Sequence, residues 1–166
     1  MARKIYFAAN GASPTIAAQV VMATTNAINT LLQIATPATT GIVILEWGIS
    51  FDGTTAATPI KCELLQTDVA ATGGTSLTPT ICGDPNAPAS LCVGGTGATM
   101  FNDGAITEGT ITAVRMFDLQ LIAPTNQYVK QFPLGREPEV PVSKFLRVRV
   151  TAGATVNAYC YIIWEE

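Results

Sequence analysis

The side chains that could do chemistry are few, and their types narrow the options at once. The 166-residue chain has no histidine, so the commonest general base and the commonest metal ligand are both missing. Histidine-based triads and histidine-bearing zinc sites are thereby excluded. Twelve acidic residues remain, enough in number for a carboxylate pair acting as general acid and base. Asp52, Asp84, Asp103 and Glu108, however, each adjoin glycine or proline, a turn-like context that predicts local and surface roles.

The four cysteines are Cys62, Cys82, Cys92 and Cys160. None has C-x-x-C spacing, so neither a dithiol redox site nor a thiolate zinc cage is indicated. Cys62 and Cys160 fall on the apolar phase of two strand-like segments, where cysteine acts as a small hydrophobe. Cys82 and Cys92 flank GDPNAPASL. Closing this short loop by a disulfide is geometrically feasible in an oxidising setting, and two free thiols are the other reading. The runs GGT and GGTGATM lack the following Lys-Ser/Thr and the strand-to-helix setting of a phosphate cradle. They read as flexible loops. Trp47 and Trp164 could stack on sugars but lie on apolar strand phases, which predicts core packing. Arg136 and Glu137, in FPLGREPEVP, read as an exposed corner suited to a local salt bridge or a subunit contact. No cofactor site and no enzymatic constellation emerge.

These side chains must be carried by strands. The chain is 48% hydrophobic and 13% charged, with 14 Gly, 10 Pro and a net charge of -3. Threonine, valine, isoleucine and the aromatics favour strands, while glycine and proline punctuate turns. IVILEWGISFDG carries Val43, Leu45, Trp47, Ile49 and Phe51 at period two and stops at Asp52-Gly53, which predicts a core strand. In IKCELLQT, Ile60, Cys62 and Leu64 oppose Lys61 and Glu63. In FLRVRV, Leu146, Val148 and Val150 oppose Arg147 and Arg149. Both predict half-buried antiparallel strands. The closing segment puts Val156, Ala158, Cys160, Ile162 and Trp164 on one face, and the short link TAGAT predicts a hairpin with FLRVRV. Glu165 and Glu166 then read as a solvated exit.

TAVRMFDLQLI, YVKQFPLG and NTLLQIATPA supply further strand candidates. AAQVVMATTNAINTLL has the alanine content of a helix but no caps and many Thr and Val residues. The sum is an all-β fold, an antiparallel β-sandwich of jelly-roll type with about eight strands, in a single domain over residues 1–166. Residues 1–25 are a candidate N-terminal arm. Residues 69–109 form one long Gly/Thr/Pro-rich loop, expected to become ordered against a neighbour rather than on its own core.

Several function classes are disfavoured. Nine dispersed basic residues against twelve acidic ones make no phosphate-neutralising stripe, so no nucleic-acid partner is expected. GIVIL and YIIW are too short to cross a bilayer, and MARKIYFAANGASP carries no long apolar signal core, so neither membrane insertion nor export is expected. No Asn-X-Ser/Thr acceptor occurs.

From about Leu32 onward, LQIATPA, EWGISFDGTTAATPIKCELLQT, LTPTICGDPNAPA and QFPLGREPEVPVSKFLRVRVTAGATVNAYCYIIWEE together resemble a family of small phage head proteins taken to be capsid decoration (cement) proteins. The shared elements are the strand ending F-D-G-T, the D-P-x-A-P-A loop, the Q-F-P-L-G-R-E corner and the terminal strand ending W-E-E. The middle loop, with its two cysteines, GGTG run and FNDGAI, departs from that pattern. The resemblance implies a β-sandwich made in the host cytoplasm and seated on the outer capsid surface of the virion. Its partners would be the major capsid protein and itself, as a homotrimer. Asp84, Pro85, Asn86, Pro88, Arg136 and Glu137 would be its subunit or capsid contacts. The alternative function is a carbohydrate-binding or host-attachment module on the virion, with a host surface glycan as partner.

Overall fold

A computed structural model of the chain describes residues 4–11, 22–24, 27–53, 58–74, 77–92 and 107–166. All its regular elements are strands: β1 (Ile5–Ala9), β2 (Met22–Ala23), β3 (Ile28–Ala35), β4 (Ile42–Phe51), β5 (Ile60–Thr67), β6 (Thr80–Ile81), β7 (Val114–Ile122), β8 (Gln127–Gln131), β9 (Glu139–Val140), β10 (Phe145–Thr151) and β11 (Asn157–Glu165). Eight of these have five or more residues and three have two. One sheet, sheet A, runs β6-β1-β11-β4-β8, with β2 added to β11 and β9 to β4. The other, sheet B, runs β3-β10-β5-β7. Every pairing is antiparallel. The two sheets face each other as an all-β sandwich that does not close into a barrel.

Alternation builds the core. Ala158, Cys160, Ile162 and Trp164 of β11 are buried, as are Leu146, Val148 and Val150 of β10 and Ile60, Cys62 and Leu64 of β5. In β4 the inward set changes phase midway. Ile42 and Ile44 are buried, then Trp47, Ile49 and Phe51, while Val43 and Leu45 are only partly covered. The cause is a bulge: Trp164 pairs with Ile44 but Ile163 pairs with Glu46, so Leu45 is skipped. One extra residue moves the strand's first half onto the opposite face from the one strict alternation predicts.

The expected hairpin between FLRVRV and the closing strand is not formed. β10 lies in sheet B and β11 in sheet A, so TAGAT arches across the sandwich instead of turning within one sheet. Two adjacent apolar strands with a five-residue link satisfy either arrangement. Here each strand finds its partners elsewhere: β10 between β3 and β5, β11 between β1 and β4.

Of the candidate arm, residues 5–9 are β1, inside sheet A between β6 and β11. The rest of it lies largely outside the described residues. Of the helix candidate, Met22–Ala23 and Ile28–Ala35 are strands. The long loop is held by its own chain wherever it is described. β6 pairs with β1, Thr72 and Thr107 bridge, and residues 68–72 and 107–113 form a roof over the outer face of sheet B. Asp103, the GGTG run and FNDGAI lie outside the described residues.

That roof changes the fate of Arg147. The alternation places it on the outer face of sheet B, and it is 0% exposed. Its guanidinium donates to the Glu108 carbonyl at 3.1 Å, to Glu108 Oε2 at 3.0 Å and to the Val69 carbonyl. Thr30 Oγ1 donates to the same Glu108 oxygen at 2.8 Å, and the Ala71 amide donates to Gln33 Oε1 at 2.8 Å. Gly109 serves the roof with φ +74, a left-handed conformation, and a Cβ there would meet the Ala70 carbonyl at 3.0 Å. Beside this cluster, Arg149 Nε and Lys61 Nζ hold the buried Glu63 carboxylate at 3.0 and 3.2 Å. A fully buried arginine is tolerable only because its charge and most of its donors are matched.

Candidate interaction face

The sequence-predicted contact residues occupy two separate places. Asp84, Pro85, Asn86 and Pro88 follow β6, at one edge of sheet A. The Asp84 side chain accepts from the Asn86 amide at 2.9 Å, the Asp84 carbonyl accepts from the Ala87 amide at 2.9 Å, and the Pro88 carbonyl accepts from Tyr6 Oη at 2.9 Å. This is a compact turn tied to β1. Arg136 and Glu137 precede β9, at the other edge of the same sheet. There the Pro133 carbonyl accepts from the Arg136 amide at 2.9 Å, and the Glu137 carboxylate accepts from the Gly135 amide at 2.6 Å. Gly135, at φ +80, supplies the left-handed step of the corner. With Arg115, Gly41 and Val140 the corner lines an open groove of about 720 Å³. Three strands, β1, β11 and β4, separate the two places.

Both tryptophans are core residues. Cys82 and Cys92 are free thiols, Cys82 exposed and Cys92 buried, and Cys62 and Cys160 are buried and free as well. Burial pushes the Cys62 thiol up to about 12, reinforced by Glu63, and raises those of Cys92 and Cys160. Cys82 is raised too, again by desolvation. None is activated as a nucleophile. Among the described residues no group of three or more Asp, Glu or Cys side chains is placed to hold a metal ion.

Glu166 is not a solvated end. Its carboxylate accepts from the Ser90 hydroxyl, the Leu91 amide at 2.8 Å, the Cys92 amide at 3.4 Å and Trp164 Nε1 at 3.1 Å. It thus fastens the middle of the long loop, residues 90–92, to the last core strand. Burial alone would raise this carboxyl, but the hydrogen bonds led by Ser90 and Leu91 outweigh it and hold it below its ordinary value. The reason lies in the loop: residues 90–92 present amides that need an acceptor, and the buried indole of Trp164 presents another.

The open flank of the sandwich carries two features. The first is Asp118 on the inner side of β7. It accepts from Trp47 Nε1 at 3.1 Å, Tyr128 Oη at 3.0 Å, Gln120 Nε2 at 3.1 Å and the Leu119 amide at 3.0 Å, and pairs with Lys130 at 3.2 Å. Burial would raise its carboxyl, yet the bonds from Gln120, Tyr128 and Lys130 hold it below the ordinary range, and Tyr128 rises to about 12 in response to burial and Asp118. Asp118 therefore ties sheet B to Trp47, Tyr128 and Lys130 of sheet A. Its acceptor positions are occupied by partners within the chain, which suits a lock rather than an acid or base. The sequence signal was one aspartate at the centre of a mostly apolar strand.

The second feature is the outer side of β7. Leu65 pairs with Met116 while Leu64 pairs with Asp118, so Phe117 is the extra residue of a bulge. The bulge shifts the phase of the strand, and Val114, Met116, Leu119 and Leu121 all reach the outer face, paired with Thr67, Leu65, Glu63 and Lys61. The roof's hydrogen bonds go to Thr30 and Gln33 of β3 and Arg147 of β10, at the end of the sheet away from β7. The four outward side chains of β7 are 51%, 43%, 51% and 71% exposed. β7 is also the edge of its sheet. A long apolar edge strand is a template for association unless something covers it. TAVRMFDLQLI hinted at this by carrying hydrophobics on both phases.

The chain matches no family model, no curated protein and no solved structure.

Proposed function

We propose that this chain is a structural virion protein of the capsid decoration (cement) type, which binds the outer surface of a phage head and self-associates there. The observation that carries the reading is the row of four exposed apolar side chains on the edge strand β7, a surface suited to burial against protein and to little else. The resemblance of the F-D-G-T, D-P-x-A-P-A, Q-F-P-L-G-R-E and W-E-E segments to phage head proteins names the kind of protein surface. The occupied Asp118 and Glu166 carboxylates and the protonated thiols agree with a role in contact rather than catalysis. Co-sedimentation of the purified chain with undecorated heads tests it. Saturable binding to a fixed number of sites per head is expected; recovery of all the protein in the supernatant at micromolar concentration would overturn it.

A second reading has one observation in its favour. On the outer face of sheet A, Phe7 and Tyr161 stack at 5.7 Å and 23°. The Tyr161 ring lies over Gly48, where a Cβ would come within 2.5 Å of it, and its hydroxyl donates to Glu46. Aromatic rings beside a carboxylate are what a host-attachment module would use to hold a pyranose. A glycan-array signal that Tyr161→Ala abolishes would support it, and a blank array would dismiss it.

A further inference from the structure

Resting on the proposal that β7 is a contact surface, we infer that its occupant is a second copy of the same chain, packed across a two-fold axis with the two β7 stripes antiparallel. The stripe is its own complement. Because the bulge at Phe117 shifts the phase, the outward residues fall at 114, 116, 119 and 121, a spacing that reads the same in either direction. A two-fold contact pairs residue i with j and j with i, and about the centre of this stripe that pairing sets apolar side chains against apolar ones. Turned antiparallel, Val114 faces Leu121 of the second copy and Met116 faces Leu119.

The charges at the two ends favour the same arrangement. At the Val114 end, Asp68 accepts from the Thr112 and Ala113 amides at 3.2 and 3.1 Å and from the Thr112 hydroxyl, which lowers its carboxyl to about 2. At the Leu121 end, Lys61 is the cross-strand neighbour; it and Arg149 share the single Glu63 carboxylate at 3.2 and 3.0 Å, so this end keeps one net positive charge. Antiparallel packing brings the acidic end of one stripe to the basic end of the other, and parallel packing would bring like to like. Between those ends no outward side chain of β7 is charged. The bulge at Phe117 and the inward Asp118 guard the edge against strand pairing, but they leave the outward apolar stripe open to a face-on contact.

Sedimentation of the full chain tests this, with twice the 17.4 kDa chain mass expected at tens of micromolar. Leu119→Lys with Leu121→Lys should weaken association at least about a hundredfold and leave the circular dichroism and melting of the folded chain in place, because both side chains are exposed. The orientation is read by a Val114→Cys, Leu121→Cys variant on a Cys82→Ser background, treated with a bismaleimide that spans about 10 Å, the separation of two sheets packed face to face. The two positions lie roughly 23 Å apart along one strand, so a bridge between them joins two molecules, and a covalent dimer is expected. A monomer, the homotrimer that the resemblance to phage head proteins implies in place of a two-fold dimer, a dimer indifferent to the lysines, or failure to cross-link would each overturn the contact. Absence of a dimer of the unaltered chain, with its head binding intact, would refute this inference alone. Absence of the protein from heads would refute the decoration reading and leave the dimer standing.

Discussion

Replacing Asp118 with alanine should destabilise the fold by about 3 kcal/mol. Asp118 is buried, and it accepts from the indole of Trp47, which is itself inaccessible. Removing the carboxylate leaves that N–H without an acceptor at a cost of about 1–3 kcal/mol. Tyr128 and Lys130 lose their partner as well. Breaking a buried pair costs about 3–5 kcal/mol, but Lys130 is about a third exposed and can turn to water, which brings the total toward the lower end. For a domain of this size each kcal/mol lowers Tm by about 2–4 °C, so a drop of roughly 6–12 °C is expected in calorimetry. A double-mutant cycle with Trp47→Phe, which deletes only the donor and some ring area, should return a coupling of about 1–2 kcal/mol. The pH dependence has a definite sign. A carboxyl depressed by folding contributes stability above its unfolded value of about 3.9 and loses that contribution as pH falls through its folded value. The gap between wild type and Asp118→Ala should therefore be full at neutral pH and narrow below about pH 4. A cost under about 1 kcal/mol, the level of an ordinary surface substitution, or a coupling of zero, would refute the sheet-to-sheet lock.

Other outcomes follow from the same packing. Trp164→Ala should cost about 3–5 kcal/mol as a buried aromatic truncation, and Glu166→Ala about 2–3 kcal/mol through hydrogen bonds to a charged group; chemical denaturation separates the two, and a cost near zero for Glu166→Ala would return it to the role of a solvated end. Arg147→Ala, which leaves the Glu108 carboxylate of the roof without its cation, should cost about 3–5 kcal/mol, whereas Arg147→Met, which leaves it equally unpaired but opens a smaller cavity, should cost less. Equal losses would show that the lost charge and its hydrogen bonds, not the lost volume, set the whole cost. In a native thiol titration only Cys82 should react promptly, with Cys62, Cys92 and Cys160 following on unfolding; prompt reaction of two or more would contradict their burial.

Where one side chain in two meets the core, the sequence was legible. The inward set of β11 from Ala158 to Trp164, the paired faces of β5 and β10, the burial of both tryptophans and the all-β sandwich follow from alternation with turn residues between strands. What alternation cannot carry is a phase shift. Bulges at Leu45 and Phe117 move half a strand to the other face without any residue type to announce them. Nor can it tell an arch from a hairpin, which is why TAGAT joins two sheets rather than two neighbours. Arg147 and Glu166 looked solvated because the residues that bury them, Val69 with Glu108 and Ser90 with Cys92, are about 40 to 80 positions away. The exposed stripe on β7 depends on its being an edge strand beyond the reach of the roof, and strand order is a tertiary fact.

The proposed decoration role requires the chain to be a stoichiometric part of a phage head's outer surface. The most direct test is its copy number relative to the major capsid protein on purified heads, measured by quantitative mass spectrometry before and after mild surface proteolysis. A fixed ratio set by the capsid lattice, with the protein accessible from outside, is the predicted result. Absence from the heads, or a few copies confined to a tail or fibre, would contradict it.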